Sequence, residues 1–253
     1  MKNISRREIL KKAGTPVVAA TLGLGIFPSE MTGSNKNKKR SKIIVVGAHP
    51  DDPETGCGGT MALFAGKGHK VISAYLTRGE AGISGKSGTE AARIRTKEAL
   101  DACKILNSEA IFFSQIDGNC EITANSYQEI YDFFEYEKPD IVFTHWPIDR
   151  HRDHRICSIL VYDAWLKLGR LFELYYFEVE SGGQTQNFPP TDFVDISSVI
   201  EKKHAACNCH TSQDMQRIYK EYHGQMEKFR GLQANCKFAE AFIKHNHSIK
   251  AIL

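Results

Sequence analysis

The sequence predicts an α/β domain of three layers, a mostly parallel sheet with helices on both faces. Two observations carry this. Short β-rich runs alternate with helix-length amphipathic segments, and the runs are nearly continuously apolar, as strands covered on both sides must be. The composition agrees: 253 residues at 42% hydrophobic and 25% charged suffice for one sizeable core, hence one globular domain, expected over 43–253, behind a tail.

The elements follow in chain order. Residues 1–30 begin basic and run through an apolar stretch from Ala13 to Phe27 into a polar linker over 31–42, "MTGSNKNKKRSK". That is the layout of an export signal, and Arg6-Arg7 within "SRREILKK" resembles a twin-arginine signal, which points to an exported, periplasmic or envelope protein. The apolar stretch is shorter than the roughly 20 residues that span a bilayer, so no transmembrane span is expected beyond the signal itself, should it stay uncleaved. The domain's strands are read at "KIIVVGA", "KVISAYLT", "AIFF", "DIVFTHW" and "LYYFEV", with helices near 59–66, 89–106, 126–137 and 153–168. "FVDIS" adds a strand, followed by packing helices near 198–209 and 212–230. The Gly-, Ser- and Pro-rich loops at 78–89 and 181–192 stand at strand ends, where substrate contacts usually sit.

Charge and cysteines exclude two classes. Net charge is +3, but residues 1–42 hold ten Lys and Arg against two acidic residues, leaving 23 basic and 28 acidic residues in the remainder. That mildly acidic body carries no nucleic-acid footprint. Seven scattered cysteines, without a repeated C-x-x-C pair, do not form a disulfide framework. His204, Cys207, Cys209 and His210 lie in a helical pattern where their side chains diverge, so they read as core thiols with surface histidines rather than a metal site.

Chemistry is concentrated in two clusters. "GAHPDDPETGCGGT" (47–60) follows the first strand and "HWPIDRHRDHR" (145–155) follows "DIVFT". Ligands of open α/β sheets collect beyond the carboxyl ends of the strands, so both clusters open onto one edge. His49 precedes Pro50 and Asp52 precedes Pro53, which pushes both toward extended backbone and holds them on a stiff turn suited to metal ligands. The glycines of "GCGG" are expected to turn the chain sharply into the next helix. A plain alternative for "HPDD" is a helix N-cap.

"AHPDD-x-E" followed about a hundred residues later by "H-x-D-H" resembles the PIG-L (LmbE-like) zinc-dependent N-deacetylases. The likeness extends through "LTRGEAG", "IRTKEALDACKIL", "PDIVFTHWPIDRHRDH" and "VDISSVIEKKHAACNCHTSQ". The resemblance implies a Rossmann-like fold, removal of an acetyl group from an N-acetylglucosamine-type sugar or conjugate, one zinc per chain held by His49, Asp52 and His154, and Asp51 as general base. Two imidazoles and a carboxylate would leave zinc a position for water, as catalytic sites do. His151 would then stabilise the oxyanion or protonate the departing amine, with Asp153 orienting a histidine of the cluster. Arg78 and Glu80 would contact the sugar. Asp117 and His210 fall in family-like stretches and receive no role.

Two other readings use the same residues. Two histidines and a carboxylate also fit the facial triad of a non-haem iron oxygenase, where the adjacent Asp51 has no obvious use. A non-catalytic carbohydrate-binding module on the same fold would have had no reason to keep that base.

Overall fold

A computed structural model describes residues 40–246. Arg6, Arg7, the expected export signal and most of the linker lie outside the described residues. Seven strands form one sheet: β1 (Lys42–Gly47), β2 (Lys70–Tyr75), β3 (Glu109–Phe112), β4 (Ile141–His145), β5 (Glu173–Phe177), β6 (Asp192–Asp195) and β7 (Ala239–Lys244), in the order β3-β2-β1-β4-β5-β7-β6. β1 to β5 pair in parallel, and β7 is antiparallel to both β5 and β6.

The predicted run "IIVV" becomes the centre of β1, and its residues alternate between two cores. Ile44 and Val46 pack with Ile72, Val142, Leu160 and Trp165 beneath α3 (Ala124–Glu137) and α4 (Arg152–Lys167). Ile43 and Val45 pack with Met61, Phe143, Phe177 and Phe242 beneath α1 (Asp52–Gly66), α2 (Gly88–Leu106) and α5 (Ile200–Cys207). Period-two alternation of an all-apolar strand is what two covered faces produce. The fold is thus the mostly parallel, three-layer α/β sandwich expected.

Three expectations need correction. The helix read at 59–66 begins at Asp52, so "GCGG" is not a turn but lies inside α1. Its glycines are there for close packing: a Cβ on Gly56 would stand 2.5 Å from the Phe177 ring, and one on Gly59 2.5 Å from Ile196. The helix read over 212–230 is instead a short 3-10 turn (Thr211–Gln213), α6 (Met215–Ile218), a π-helical turn (Tyr219–His223) and α7 (Gly224–Ala234). β7 went unread because fully buried Glu240 interrupts its apolar run. That carboxylate accepts from the backbone N–H groups of Gly59 and Thr60 at 2.8 Å each, tying β7 to α1.

The order 3-2-1-4-5 puts a topological switch between β1 and β4, where the chain leaves the sheet in opposite directions. A crevice opens there beyond the carboxyl ends. His49 follows β1 and His145 ends β4, so both motif clusters meet at that crevice.

Candidate active site

The turn from β1 into α1 is closed by its own side chains. Gly47 admits it, since a Cβ there would lie 2.7 Å from both Asp52 Cβ and Pro53 Cδ. Asp52 then turns back, its Oδ2 accepting from the His49 N–H at 2.7 Å. Asp51 occupies the N-cap position of α1 at φ 112° but makes no capping hydrogen bond. A positive φ is costly for a residue with a Cβ and is retained where surroundings impose it. The Asp51 carboxylate is directed to the buried Arg95, whose Nη2 lies 3.1 Å from Oδ2 and also donates to the Pro50 carbonyl.

α4 brings in the second cluster. His154 Nε2 lies 3.3 Å from His49 Nδ1 and 3.4 Å from Asp52 Oδ1, and His49 Nδ1 lies 3.3 Å from Asp52 Oδ2. A tetrahedral ion with bonds of about 2.0–2.1 Å separates its ligand atoms by about 3.3–3.4 Å, so the three residues form a triangle whose edges have that length, the two Asp52 edges ending on its two different oxygens. It stands among three overlapping His/Asp groups able to hold an ion: His49–His151–His154, Asp52–His145–His154 and His49–Asp117–Asp153.

Carboxylates hold the far sides of both imidazoles. His49 Nε2 is 3.1 Å from Asp117 and 3.4 Å from Asp153, and Asp153 also accepts from the Gly118 N–H at 2.7 Å. His154 Nδ1 is 3.3 Å from Asp149, whose other oxygen accepts from the Thr185 hydroxyl, and 3.3 Å from Gln184 Nε2. Such partners fix the ring orientation and raise the basicity of a metal-ligating histidine. The histidine that Asp153 contacts is therefore His49. His145 stacks on His154 at 3.9 Å between centroids and reaches Asp52 Oδ2 at 3.2 Å. His151 caps α4, its Nδ1 accepting from the Asp153 N–H, with its ring 4.7 Å from His49 and 4.8 Å from His154.

The electrostatics follow this layout. Burial opposes charge on His49, but Asp117, Asp153 and Asp52 outweigh it and raise its pKa well above the usual range. Burial likewise opposes ionisation of Asp52, and His154 and His145 overcome it, holding this carboxylate well below its usual value. Burial raises Asp51 despite the nearby Arg95, the direction that makes a carboxylate more basic. Burial, with His49 and His154 alongside, lowers His151. Burial and His154 bring His145 down to about 4.

These groups open into a cavity of about 620 Å³. The two loops read as substrate-facing do reach it, through Ala81 and Gly82 from one and Ser181 and Gln184 from the other. Arg78 and Glu80 do not line it, which corrects their expected place. Arg78 is exposed over the Phe112 ring at 4.6 Å, and Glu80 accepts from the backbone N–H groups of Arg78 and Asp117. The glycines of "RGEAG" make room for a different arginine: a Cβ on Gly79 would lie 2.5 Å from Arg95 Cδ, and one on Gly82 2.2 Å from its Nη1. His210 is fully buried, not at the surface, with Nε2 3.4 Å from Glu54. It lies past the end of α5, where the chain turns inward, so the helical spacing that suggested an outward ring does not extend to it.

Arg95 and Asp149 were not singled out in the sequence. Arg95 sits in an amphipathic helix, where arginines usually face water. Asp149 lay in plain view within "IDRHRDH", and its signal was position: four residues past the end of β4, on the same edge as the histidines.

Comparison with known proteins agrees with this geometry. The PIG-L family model (GlcNAc-PI de-N-acetylase) matches residues 44–165, which carry both clusters. A 4-oxalmesaconate hydratase of Pseudomonas putida is 29% identical over 219 residues, 79% of this chain and 83% of the relative. A diacetylchitobiose deacetylase of Thermococcus kodakarensis is 28% identical over 216 residues, 79% of this chain and 81% of the relative. The crystal structure of the 4-carboxy-2-hydroxymuconate hydratase from Pseudomonas putida shares the fold at a TM-score of 0.74 and 23% identity, over 84% of this chain and 99% of that one. With the matched segment spanning the β1–α1 turn and the start of α4, the chain belongs to the PIG-L family.

Proposed function

We propose that the protein is a zinc-dependent hydrolase that removes the acetyl group from an N-acetylglucosamine-type sugar or conjugate. The observation that carries this is the His49–Asp52–His154 triangle, edges 3.3–3.4 Å, beside a carboxylate, Asp51, that belongs to none of its contacts. His49, Asp52 and His154 would hold one zinc. When bound, zinc polarises the acetamide carbonyl and acidifies water. Asp51, raised by burial and oriented by Arg95, takes a proton from the attacking water. The new C–O bond forms as the C–N bond breaks, and His151 supplies the proton with which the amine leaves. Asp117, Asp153 and Asp149 keep the two imidazoles in place.

A hydratase reading comes from the Pseudomonas putida relative, whose name implies a substrate with several carboxylates. The cavity favours it less. Both arginines that line it face carboxylates, Arg95 with Asp51 at 3.1 Å and Arg217 with Asp214 at 2.9 Å. An oxygenase would leave Asp51 without use. Acetate release from a panel of N-acetylglucosamine conjugates, run beside hydration of unsaturated tricarboxylates and a dioxygen-consumption assay, separates the three. Hydration without acetate release would overturn the proposal.

We infer from the leader that the protein is exported, and no helix among the described residues is long and apolar enough to cross a membrane. A reporter fused to residues 1–42 should leave the cytoplasm only while Arg6 and Arg7 are intact. Export unchanged by Arg6→Lys with Arg7→Lys would exclude the twin-arginine route.

A further inference from the structure

The cavity is lined by polar groups around His49, Asp52 and His154 and, on one side, by a wall in which Met215, Ile218 and Tyr222 stand beside Gln213 and Arg217. His49, Asp52 and His154 are buried, whereas this wall comes from α6 and the π-helical turn: Ile218 is half-buried and Tyr222 is 44% exposed, with Met215 buried. Ile218 and Tyr222 stand four residues apart and both line the cavity, so one face of this segment forms a wall. The wall is pre-formed. The Tyr219 hydroxyl, between them, donates to Cys207 Sγ at 3.1 Å and fastens the turn to α5.

We propose that this wall is a subsite for an apolar aglycone on the amino sugar, with Ile218 and Tyr222 as specificity-determining residues; this rests on the deacetylase reading above. Three observations point to it. The volume of about 620 Å³ lies in the range that houses a drug-sized ligand, leaving room beyond a single sugar ring. Arg217, the cation on this wall, is held by Asp214 at 2.9 Å and Glu221 at 2.8 Å, so the wall has no spare positive charge to attract an anionic conjugate. A half-exposed tyrosine beside an isoleucine gains most by burial against an apolar group, and aromatic anchors of this kind dominate recognition. Burial also holds His223 on the same segment down near 4, so it is neutral at pH 7.

The test is calorimetric titration of the full-length, zinc-loaded chain carrying Asp51→Asn, which prevents turnover, with N-acetylglucosamine and with its phenyl β-glycoside. The phenyl glycoside should bind about tenfold more tightly, and Ile218→Ala with Tyr222→Ala should erase that difference while leaving the affinity for N-acetylglucosamine unchanged. Equal affinities before substitution, or equal weakening of both ligands after it, would overturn the subsite. Acetate release by the unsubstituted chain from the same two compounds is the second arm. An affinity preference without release removes the deacetylase reading and keeps the subsite, and release without an affinity preference does the reverse.

Discussion

Two buried clusters of charge lie within this domain, and they solve the same problem differently. One is the site floor, where Asp52, Asp117, Asp149 and Asp153 surround His49 and His154. The other lies under α1, where Lys203 is fully buried with Nζ 3.0, 3.1 and 2.9 Å from Glu180, Glu227 and Glu240. The second supplies its own cation. His204 adds a contact to Glu227 at 2.8 Å, and burial raises Glu180 well above the usual carboxyl range. The first opens into the cavity; Arg95 reaches only its edge, at Asp51 (3.1 Å) and Asp117 (3.8 Å), and the carboxylates around the two histidines are otherwise balanced by protonating an imidazole or by taking a cation from outside. Buried charge alone therefore does not mark a functional site; buried charge that the protein leaves for a ligand to balance does.

The sharpest break in this comparison is at the paired aspartates. Asp51→Asn cannot take a proton, so turnover should fall roughly 10²–10⁴-fold while zinc content barely changes. Asp52→Asn replaces one corner of the triangle with a poor ligand, so zinc content and activity should fall together and added zinc should restore part of both. Metal analysis beside acetate release checks this. Equal metal loss in the two variants would mean that both aspartates are ligands, with the base elsewhere.

The closed cluster should fail in another way. Lys203→Met leaves three buried glutamates without their cation, which should cost about 3–5 kcal/mol of stability. Thermal or urea unfolding would show it with or without zinc. If the loss appeared only in the metal-free protein, the two clusters would not be independent.

Between these extremes lies Asp149, which reaches the triangle only through His154. Asp149→Asn should lower zinc affinity about 10–100-fold, the usual cost of losing a carboxylate behind a ligating histidine. Unfolding of the zinc-loaded protein should move little. Competition against a chromophoric chelator measures the affinity, and an unchanged value would leave Asp149 as a brace for Thr185 and the 181–192 loop.

The same contrast explains what the sequence disclosed. The open cluster was legible because strand ends announce themselves: His49 follows "KIIVVG", and the 145–155 run follows "DIVFT", so topology alone brings them together. The closed cluster was illegible. Lys203 and Glu227 occupy helices in which charge normally faces water, and Glu240 disguised β7, so no local pattern showed that three elements turn their charges inward to one another. Arg95 escaped for the same reason. The glycines that admit it were visible, but a glycine in "RGEAG" suggests a loop before it suggests the width of a guanidinium.

The smallest effect concerns pH. Burial acts on Glu180 more strongly than Lys203 does and raises its pKa well above the ordinary value of 4.5 in the folded protein, whereas in the unfolded chain it ionises near that ordinary value. A raised folded pKa contributes stability that is fully present below the unfolded value and is lost progressively as pH climbs toward the folded one. Glu180→Gln has the shape of the protonated acid and no proton to lose. Relative to that variant, the natural protein should lose stability steadily from about pH 4.5 upward, so the melting temperature of Glu180→Gln should exceed it by more at pH 8 than at pH 5. The opposite trend, with the variant gaining least at high pH, would show that Glu180 is ionised in the fold. Lys203 would then have an ionised Glu180 to balance as well, and the cluster under α1 would resemble the site floor more than its opposite.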